Sequence, residues 1–154
     1  DFPHIVIITE HVSEVEEAEL YRGMDAFVLP TRGEGWGLPT IQAMAMALPT
    51  ISTNWGGNTE FMSQNTSFLI PVDGLEELPE DSMYKFEMGK KWAIPSLAAT
   101  TALMQFCFAH PDIARAVGQR ARDDIHRRFG EEAVADVVDA RVEEIRTIVE
   151  RRSQ

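Results

Sequence analysis

One short stretch of the sequence places a carboxylate among residues suited to ligand contact. Residues 31–42 read TRGEGWGLPTIQ, so glycines surround Glu34. An apolar run, FVLP, ends just before this stretch, and the helix-like run IQAMAMAL starts within it. Glycines let a ligand approach the backbone closely, and the free N–H groups at a helix start, here near Gly37 and Leu38, favour an anion such as phosphate. The pattern predicts a phosphate site beside one carboxylate, which can accept hydrogen bonds from sugar hydroxyls.

Plainer interpretations of the same residues stay open at this point. EGWG is also typical of a tight strand-to-helix turn in which Glu34 caps the helix. Arg32 either reaches a phosphate or forms an ion pair with nearby acids. Trp36 lies under a sugar or packs in the crevice of the sheet. The residue types alone do not decide between these alternatives.

Alternating apolar runs and helical segments predict an α/β domain. Strands are expected at 4–10, 25–30, 50–54 and 67–72, with helices at 16–24 and 39–48 and a short helix in GGNTEFM. This order favours a Rossmann-like parallel sheet with helices on both faces. Ligands of such sheets bind beyond the carboxyl ends of the strands. That rule selects the loops Glu10–Val12, Thr31–Leu38 and Asn54–Asn58.

The second half of the chain has a different pattern. Residues 73–95 are predicted to form a long surface loop ending on Trp92 and Pro95, followed by three helices: one near 96–109, a second that Gly130 stops, and a third near 131–151. Apolar residues recur every four positions along the second helix, which predicts one buried stripe; they are Ile113, Val117, Ala121, Ile125 and Phe129. The third helix is predicted to turn a similar set inward: Val134, Val138, Ile145 and Val149.

Composition excludes several classes of protein. The 154 residues suffice for a single domain, and the net charge of −11 argues against binding nucleic acid or an anionic membrane. The single cysteine, Cys107, excludes an internal disulfide and is expected to be buried and inert. The histidines, including His11, show no metal-ligand spacing, so no metal site is predicted. No apolar run is long enough to span a membrane.

A longer segment carries a family resemblance. DAFVLPTRGEGWGLPTIQAMAMALPTISTNWGGNTEF resembles the signature of family-4-type retaining glycosyltransferases of the GT-B fold. The flanking LYRGMDAFVLP, the Trp-x-x-Pro of GKKWAIPSLAATTALMQ, and GQRARDDIHRRFGEEAVA are similar to further family segments. The resemblance covers nearly the whole chain. It implies the C-terminal, nucleotide-sugar-binding domain of such an enzyme, without its first βαβ part.

The resemblance also implies a role for each site residue. Glu34 would be the catalytic acid that contacts the donor sugar. The backbone of residues 35–38 (Gly35, Trp36, Gly37, Leu38), with Arg32, would hold the sugar and the diphosphate. Gln42 would meet the ribose, and Glu10, His11 and Val12 would lie near the base. The donor would be a nucleoside diphosphate sugar, with neither metal nor other cofactor, and no Asp-x-Asp metal motif occurs.

Two departures from the family pattern affect the expected activity. Position 42 usually carries an acid; glutamine can accept a hydrogen bond but lacks the charge, so weaker nucleotide binding is expected. The acceptor-binding domain and the part that usually supplies an Arg and a Lys to the diphosphate are absent, and residues 1–84 contain no lysine. The chain, which begins at Asp1, is therefore interpreted as one part of a longer protein and is expected to be inactive alone.

The predicted function is transfer of a sugar from a nucleoside diphosphate sugar, with retention, to a glycan, lipid or protein acceptor that the sequence does not specify. The protein is expected in the cytoplasm, with membrane association of the parent left open. The alternative is a non-catalytic nucleotide-sugar-binding or scaffold domain derived from a transferase. Gln42 and the acidic, lysine-free character of this part of the site favour that alternative. A phosphate-binding flavodoxin-like module fits the Trp-x-x-Pro segment and the helical C-terminal part badly.

Overall fold

The computed structural model describes residues 3–78 and 90–152. The helices and strands follow in chain order, with one short 3₁₀ helix between β2 and β3 at Gly57–Glu60. They are α1 (Glu14–Gly23), β1 (Phe27–Leu29), α2 (Leu38–Ala45), β2 (Thr50–Thr53), β3 (Phe68–Ile70), β4 (Val72–Glu77), β5 (Lys91–Pro95), α3 (Leu97–Ala109), α4 (Pro111–Phe129) and α5 (Glu131–Arg152).

The sheet that organises the site is parallel and has the order β1-β2-β3. Val28 lies opposite Ile51, and Ser52 lies opposite Leu69, so the three strands end at the same edge. All four residues of the central strand β2 are buried. Its sequence, TIST, contains buried hydroxyls, and those of Thr50 and Ser52 each donate to a backbone carbonyl at 3.0 Å.

Helices cover both faces of this sheet, as predicted. On one face, Met44 of α2 packs with Phe61, and with Ala121 and Ile125 of α4. On the other face, Ile51 and Ile70 pack with Cys107 of α3 and Ala114 of α4. Removing these apolar side chains from water stabilises the two layers by about 25 cal/mol per Å² of buried surface. The core therefore fixes β1, β2 and α2, the elements that flank the glycine-rich loop.

The strand predicted at 4–10 is wrong. Residues 3–12 form neither helix nor strand, and Ile5 and Ile7 are 74% and 79% exposed. In the described part of the chain β1 pairs only with β2, so no strand lies beside its other edge. An apolar run forms a strand only where a neighbouring strand accepts its backbone hydrogen bonds. The run in 4–10 has no such neighbour in this structure.

The long surface loop predicted at 73–95 is also wrong where the structure describes it. Strands β4 and β5 form an antiparallel hairpin in which Leu75 pairs with Ala93 and Glu76 with Trp92. Part of the predicted loop, residues 79–89, lies outside the described residues. The hairpin does not extend the parallel sheet. Strands β4 and β5 form a separate two-stranded sheet.

The two long C-terminal helices differ in burial. Along α4 the predicted stripe is correct at Val117, Ala121 and Ile125, which are buried, whereas Ile113 is 51% exposed. Along α5 the predicted inward set is wrong, since the helix buries none of its residues. Gly118 lets α4 approach the turn before β2, because a Cβ there would lie 2.1 Å from the carbonyl oxygen of Ala47.

Among the described residues, no helix has the length and apolar character needed to cross a membrane.

Candidate functional site

Two glycine-containing loops meet at the carboxyl edge of the sheet. The Gly57 N–H donates a hydrogen bond of 2.9 Å to the Glu34 carbonyl. A Cβ on Gly56 would lie 2.8 Å from that same carbonyl oxygen, and a Cβ on Gly57 would lie 2.0 Å from the carbonyl oxygen of Gly35. Gly56 also has φ +96, which side chains rarely adopt. The loop after β2 thus holds the backbone of the Glu34 loop directly.

The glycines on either side of Glu34 have a different environment. Ideal Cβ atoms on Gly33 and Gly35 would meet nothing within 4 Å, and neither residue has a left-handed φ. Nothing in the described protein therefore requires glycine at these two positions. The space at their Cβ positions is free, and the predicted ligand contact of this loop stays a prediction.

The start of α2 lies three residues beyond Glu34. Gly37 occupies the N-cap with φ +91 and offers no side chain to cap the helix. The first backbone bond runs from Ile41 N–H to the Gly37 carbonyl at 3.0 Å. The preceding N–H groups of Leu38 and Thr40 are therefore free of helical partners. Such N–H groups and the helix dipole together favour an anion.

Three buried polar atoms near this helix start have no hydrogen-bond partner among the described residues. They are Thr40 Oγ1, Thr53 Oγ1 and Asn58 Oδ1. Asn58 lies against Gly37, whose Cβ position would be 3.0 Å from the Asn58 Cβ, and its amide donates to the Thr53 carbonyl at 2.8 Å. Sequence reasoning missed Thr40, although a hydroxyl in the first turn of a mostly apolar helix was the available signal.

The Glu34 side chain is half-buried and has no hydrogen-bond or ion-pair partner among the described residues. It does not cap α2, so that interpretation of EGWG is wrong. A carboxylate beside open glycine backbone can accept hydrogen bonds from ligand hydroxyls and can interact favourably with positive charge that develops nearby.

Trp36 and Gln42 occupy different surroundings. The Trp36 ring packs against Phe61 at 5.6 Å and against Phe129 at 5.9 Å between centroids, so it lies in the crevice between the loop and α4. It still exposes 40% of its surface. Gln42 is exposed on α2, one turn after the helix start. The contact between Gln42 and a ribose stays a prediction.

Arg32 is engaged by the hairpin. Its guanidinium forms an ion pair with Glu76 and lies over the Trp92 ring, 5.0 Å from the centroid. Of the two roles that the sequence left open for Arg32, the structure shows the ion pair. The other arginine of the first 75 residues, Arg22, pairs with Glu19.

Glu10, His11 and Val12 lie just before α1. The two polar residues are exposed and Val12 is half-buried. Because no strand precedes them, the rule that selected the carboxyl ends of strands does not apply to them. Their predicted position near a base therefore rests on the family resemblance alone.

A concavity of about 530 Å³ lies at the opposite, amino edge of the sheet. Asp25 and Pro49, which precede β1 and β2, contribute to its lining together with Cys107 and Phe108. Burial raises the pKa of the Cys107 thiol, which favours the protonated, unreactive form. The position and chemistry of this concavity separate it from the Glu34 loop.

The comparisons with known proteins identify the family. Residues 2–81, just over half of the chain, match the model of the glycosyl transferases group 1 family. This match includes the whole Glu34 loop, α2 and the Gly56-Gly57 turn. The chain belongs to the glycosyl transferases group 1 family.

Curated relatives and a solved structure agree with this assignment. The chain is 34% identical over 77 residues to the lipopolysaccharide core biosynthesis mannosyltransferase LpsB of Rhizobium meliloti, covering 48% of this chain and 21% of the relative. It is 32% identical over 95 residues to the capsular polysaccharide biosynthesis glycosyltransferase CapM of Staphylococcus aureus, covering 56% and 24%. The chain therefore spans about a quarter or less of these relatives.

Sucrose-phosphate synthase from Thermosynechococcus elongatus has a similar structure. The TM-score is 0.61 at 24% identity, over 84% of this chain and 27% of that chain. At this identity the likeness concerns the fold alone. The predicted fold class, an α/β domain of the GT-B C-terminal type, is confirmed.

Proposed function

We propose that this chain is the donor-binding part of a retaining glycosyltransferase that uses a nucleoside diphosphate sugar. The observation that carries the proposal is the Glu34 carboxylate, which has no partner among the described residues and lies between Gly33 and Gly35, where there is open space at both Cβ positions. Family membership supports a transferase for the protein as a whole.

The parts of the donor are assigned by their chemistry. The diphosphate lies at the start of α2, where the N–H groups of Leu38 and Thr40 face it and the helix dipole favours negative charge. The sugar lies over Gly35, with its hydroxyls donating to Glu34. Gln42 accepts a hydrogen bond from the ribose through its side-chain carbonyl.

The reaction places positive charge on the sugar ring as the diphosphate leaves. The Glu34 carboxylate stabilises that charge electrostatically, and the helix start stabilises the leaving group. Within residues 3–78, Arg22 and Arg32 are both engaged in ion pairs. Further neutralisation of the diphosphate therefore requires basic groups other than Arg22 and Arg32, and we propose that the acceptor site lies in another part of the full-length protein.

The test uses the full-length protein that contains this chain. It is incubated with UDP-, GDP- and ADP-sugars, with and without candidate acceptors, and released nucleoside diphosphate is measured. Glu34→Gln preserves the size of the side chain and removes its charge, and Glu150→Gln, exposed on α5, is the matched control.

Release from one donor, lost in Glu34→Gln and kept in Glu150→Gln, supports a transferase and identifies its donor. The anomeric configuration of the product, read by NMR, then tests retention. Absence of release from every donor by a folded protein contradicts the proposal and favours a non-catalytic domain derived from a transferase.

A further inference from the structure

The β4–β5 hairpin contacts the Glu34 loop through Arg32. Glu76 of β4 and Trp92 of β5 are cross-strand partners. The Trp92 indole N–H donates to Glu76 Oε1 at 2.8 Å, and the same carboxylate pairs with Arg32. The guanidinium is also stacked on the Trp92 ring. Each of the three side chains thus contacts the other two.

The backbone strengthens this connection. The Ala93 N–H donates to the Arg32 carbonyl at 2.9 Å, and the Ala93 side chain is fully buried. Arg32 is therefore held by both its main chain and its side chain. It stands two residues before Glu34, separated only by Gly33, whose carbonyl accepts a hydrogen bond of 2.9 Å from the Thr31 hydroxyl.

We propose that Glu76 and Trp92 are positioning residues, which fix the Glu34 carboxylate through Arg32. This inference rests on the proposed function, because the position of Glu34 matters only if Glu34 contacts a substrate. The loop is then held at two points: Arg32 on the hairpin, and the Glu34 carbonyl on Gly57. Without the side-chain contacts, Arg32 keeps only its backbone bond to Ala93, and the glycines then allow the loop a wider range of conformations, since glycine has the largest backbone freedom.

The same contacts give Arg32 a role other than phosphate binding. A diphosphate that recruited this guanidinium would have to displace Glu76 and the stacked indole. The ion pair is a surface one, since the side chains of Arg32 and Glu76 are 46% and 40% exposed, and the stacked indole adds a cation–π contact to it. The charge of Arg32 therefore binds the loop to Glu76 and Trp92 of the hairpin.

Two variants remove different parts of this contact. Glu76→Gln keeps an acceptor for the Trp92 indole but removes the ion pair with Arg32. Trp92→Phe keeps an aromatic face but removes the indole donor. Glu77→Gln is the matched control, since Glu77 is the exposed neighbour of Glu76 on β4. All are made in the full-length protein.

The first readout is hydrogen–deuterium exchange of the Ala93 and Gly57 amides, whose hydrogen bonds end on the Arg32 and Glu34 carbonyls. Loss of the contact is expected to increase exchange about tenfold in both variants, with no change in the control. The second readout separates kcat from binding: kcat falls about tenfold, while the Kd for free nucleoside diphosphate stays within about twofold, because the diphosphate contacts α2.

The outcomes are separable. Unchanged exchange in both variants overturns the proposal, whatever the activity. Faster exchange with unchanged kcat in an active protein overturns the positioning role. If the parent protein turns over no donor, the proposed function fails on that evidence, and the exchange result still decides whether the hairpin orders the loop.

Discussion

The amide of Gly57 donates to the carbonyl of Glu34 at 2.9 Å, so the second glycine-rich loop holds the backbone of the residue at the centre of the first. The two loops approach this closely because Gly57 has no Cβ. A Cβ at that position would lie 2.0 Å from the carbonyl oxygen of Gly35. The position of the candidate acid thus depends on a residue that follows it by more than twenty positions in the chain.

Gly57→Ala should destabilise the protein. The added methyl overlaps rigid backbone, which costs about 3 kcal/mol when neighbouring atoms must move. Gly33→Ala is the control in the same region, since its Cβ meets nothing within 4 Å. Thermal unfolding should show a clear decrease in Tm for Gly57→Ala alone, and equal Tm values would contradict the close approach.

Gly35→Ala should separate ligand binding from stability. Its Cβ has no neighbour and its φ is not left-handed, so the folded state accommodates alanine. Reduced freedom of the unfolded chain should leave the stability unchanged or raise it by about 0.5 kcal/mol. The methyl should nevertheless obstruct a sugar lying on the backbone, so donor affinity should fall. A titration showing parental affinity would indicate that Gly35 serves only the turn.

Gln42→Glu should tighten nucleotide binding. A carboxylate accepts a ribose hydrogen bond with charge assistance, which is worth roughly 1 kcal/mol more than the neutral bond and corresponds to about fivefold in Kd. Isothermal titration of the full-length protein with the nucleoside diphosphate measures this change. Gln64→Glu is the control for the added charge, because Gln64 is exposed and lies outside α2. Flat or weaker binding would remove Gln42 from the ribose site.

Cys107 should react slowly with alkylating reagents. The thiol is buried beside Ile51, Ile70 and Ala114, and burial raises its pKa. The thiolate is the reactive form, so a raised pKa lowers its fraction at pH 8 and moves the onset of reaction to higher pH. Iodoacetamide labelling followed by mass spectrometry should be more than about tenfold slower than in guanidinium-unfolded protein. Equal rates would show that the thiol is accessible.

The region around Glu34 was predictable because local residue types determine its structure. Pro30, the glycines and the apolar helix after them specify a strand, a loop and a helix start over 27–45, and the structure agrees. The close contact with Gly56 and Gly57 was not predictable, because periodicity carries no information about which loops touch.

The hairpin was missed for a physical reason. In β4 the partly buried positions are Val72, Gly74 and Glu76, whereas Leu75 is exposed. The alternation of apolar and polar residues therefore misleads, because a charged residue takes an inward position that is stabilised by Arg32 and Trp92. Such a pairing across sixteen residues is visible only in three dimensions.

The predictions for the run at 4–10 and for α5 were wrong because apolar residues that were expected to be buried are exposed. Their apolar residues predict burial, yet Ile5 of the run and Val149 of α5 are 74% and 56% exposed. Hydrophobic patterning indicates that a surface is suited to a partner, but it does not say whether this chain supplies that partner.

The contact between the two glycine loops bears on how donor preference can be engineered. Where backbone touches backbone, no side chain is available for substitution, and selection for a new sugar would find only destabilised variants there. Exposed side chains flank the contact at Asn54 and Trp55. A library aimed at altered donors should randomise these two positions and leave Gly56 and Gly57 unchanged.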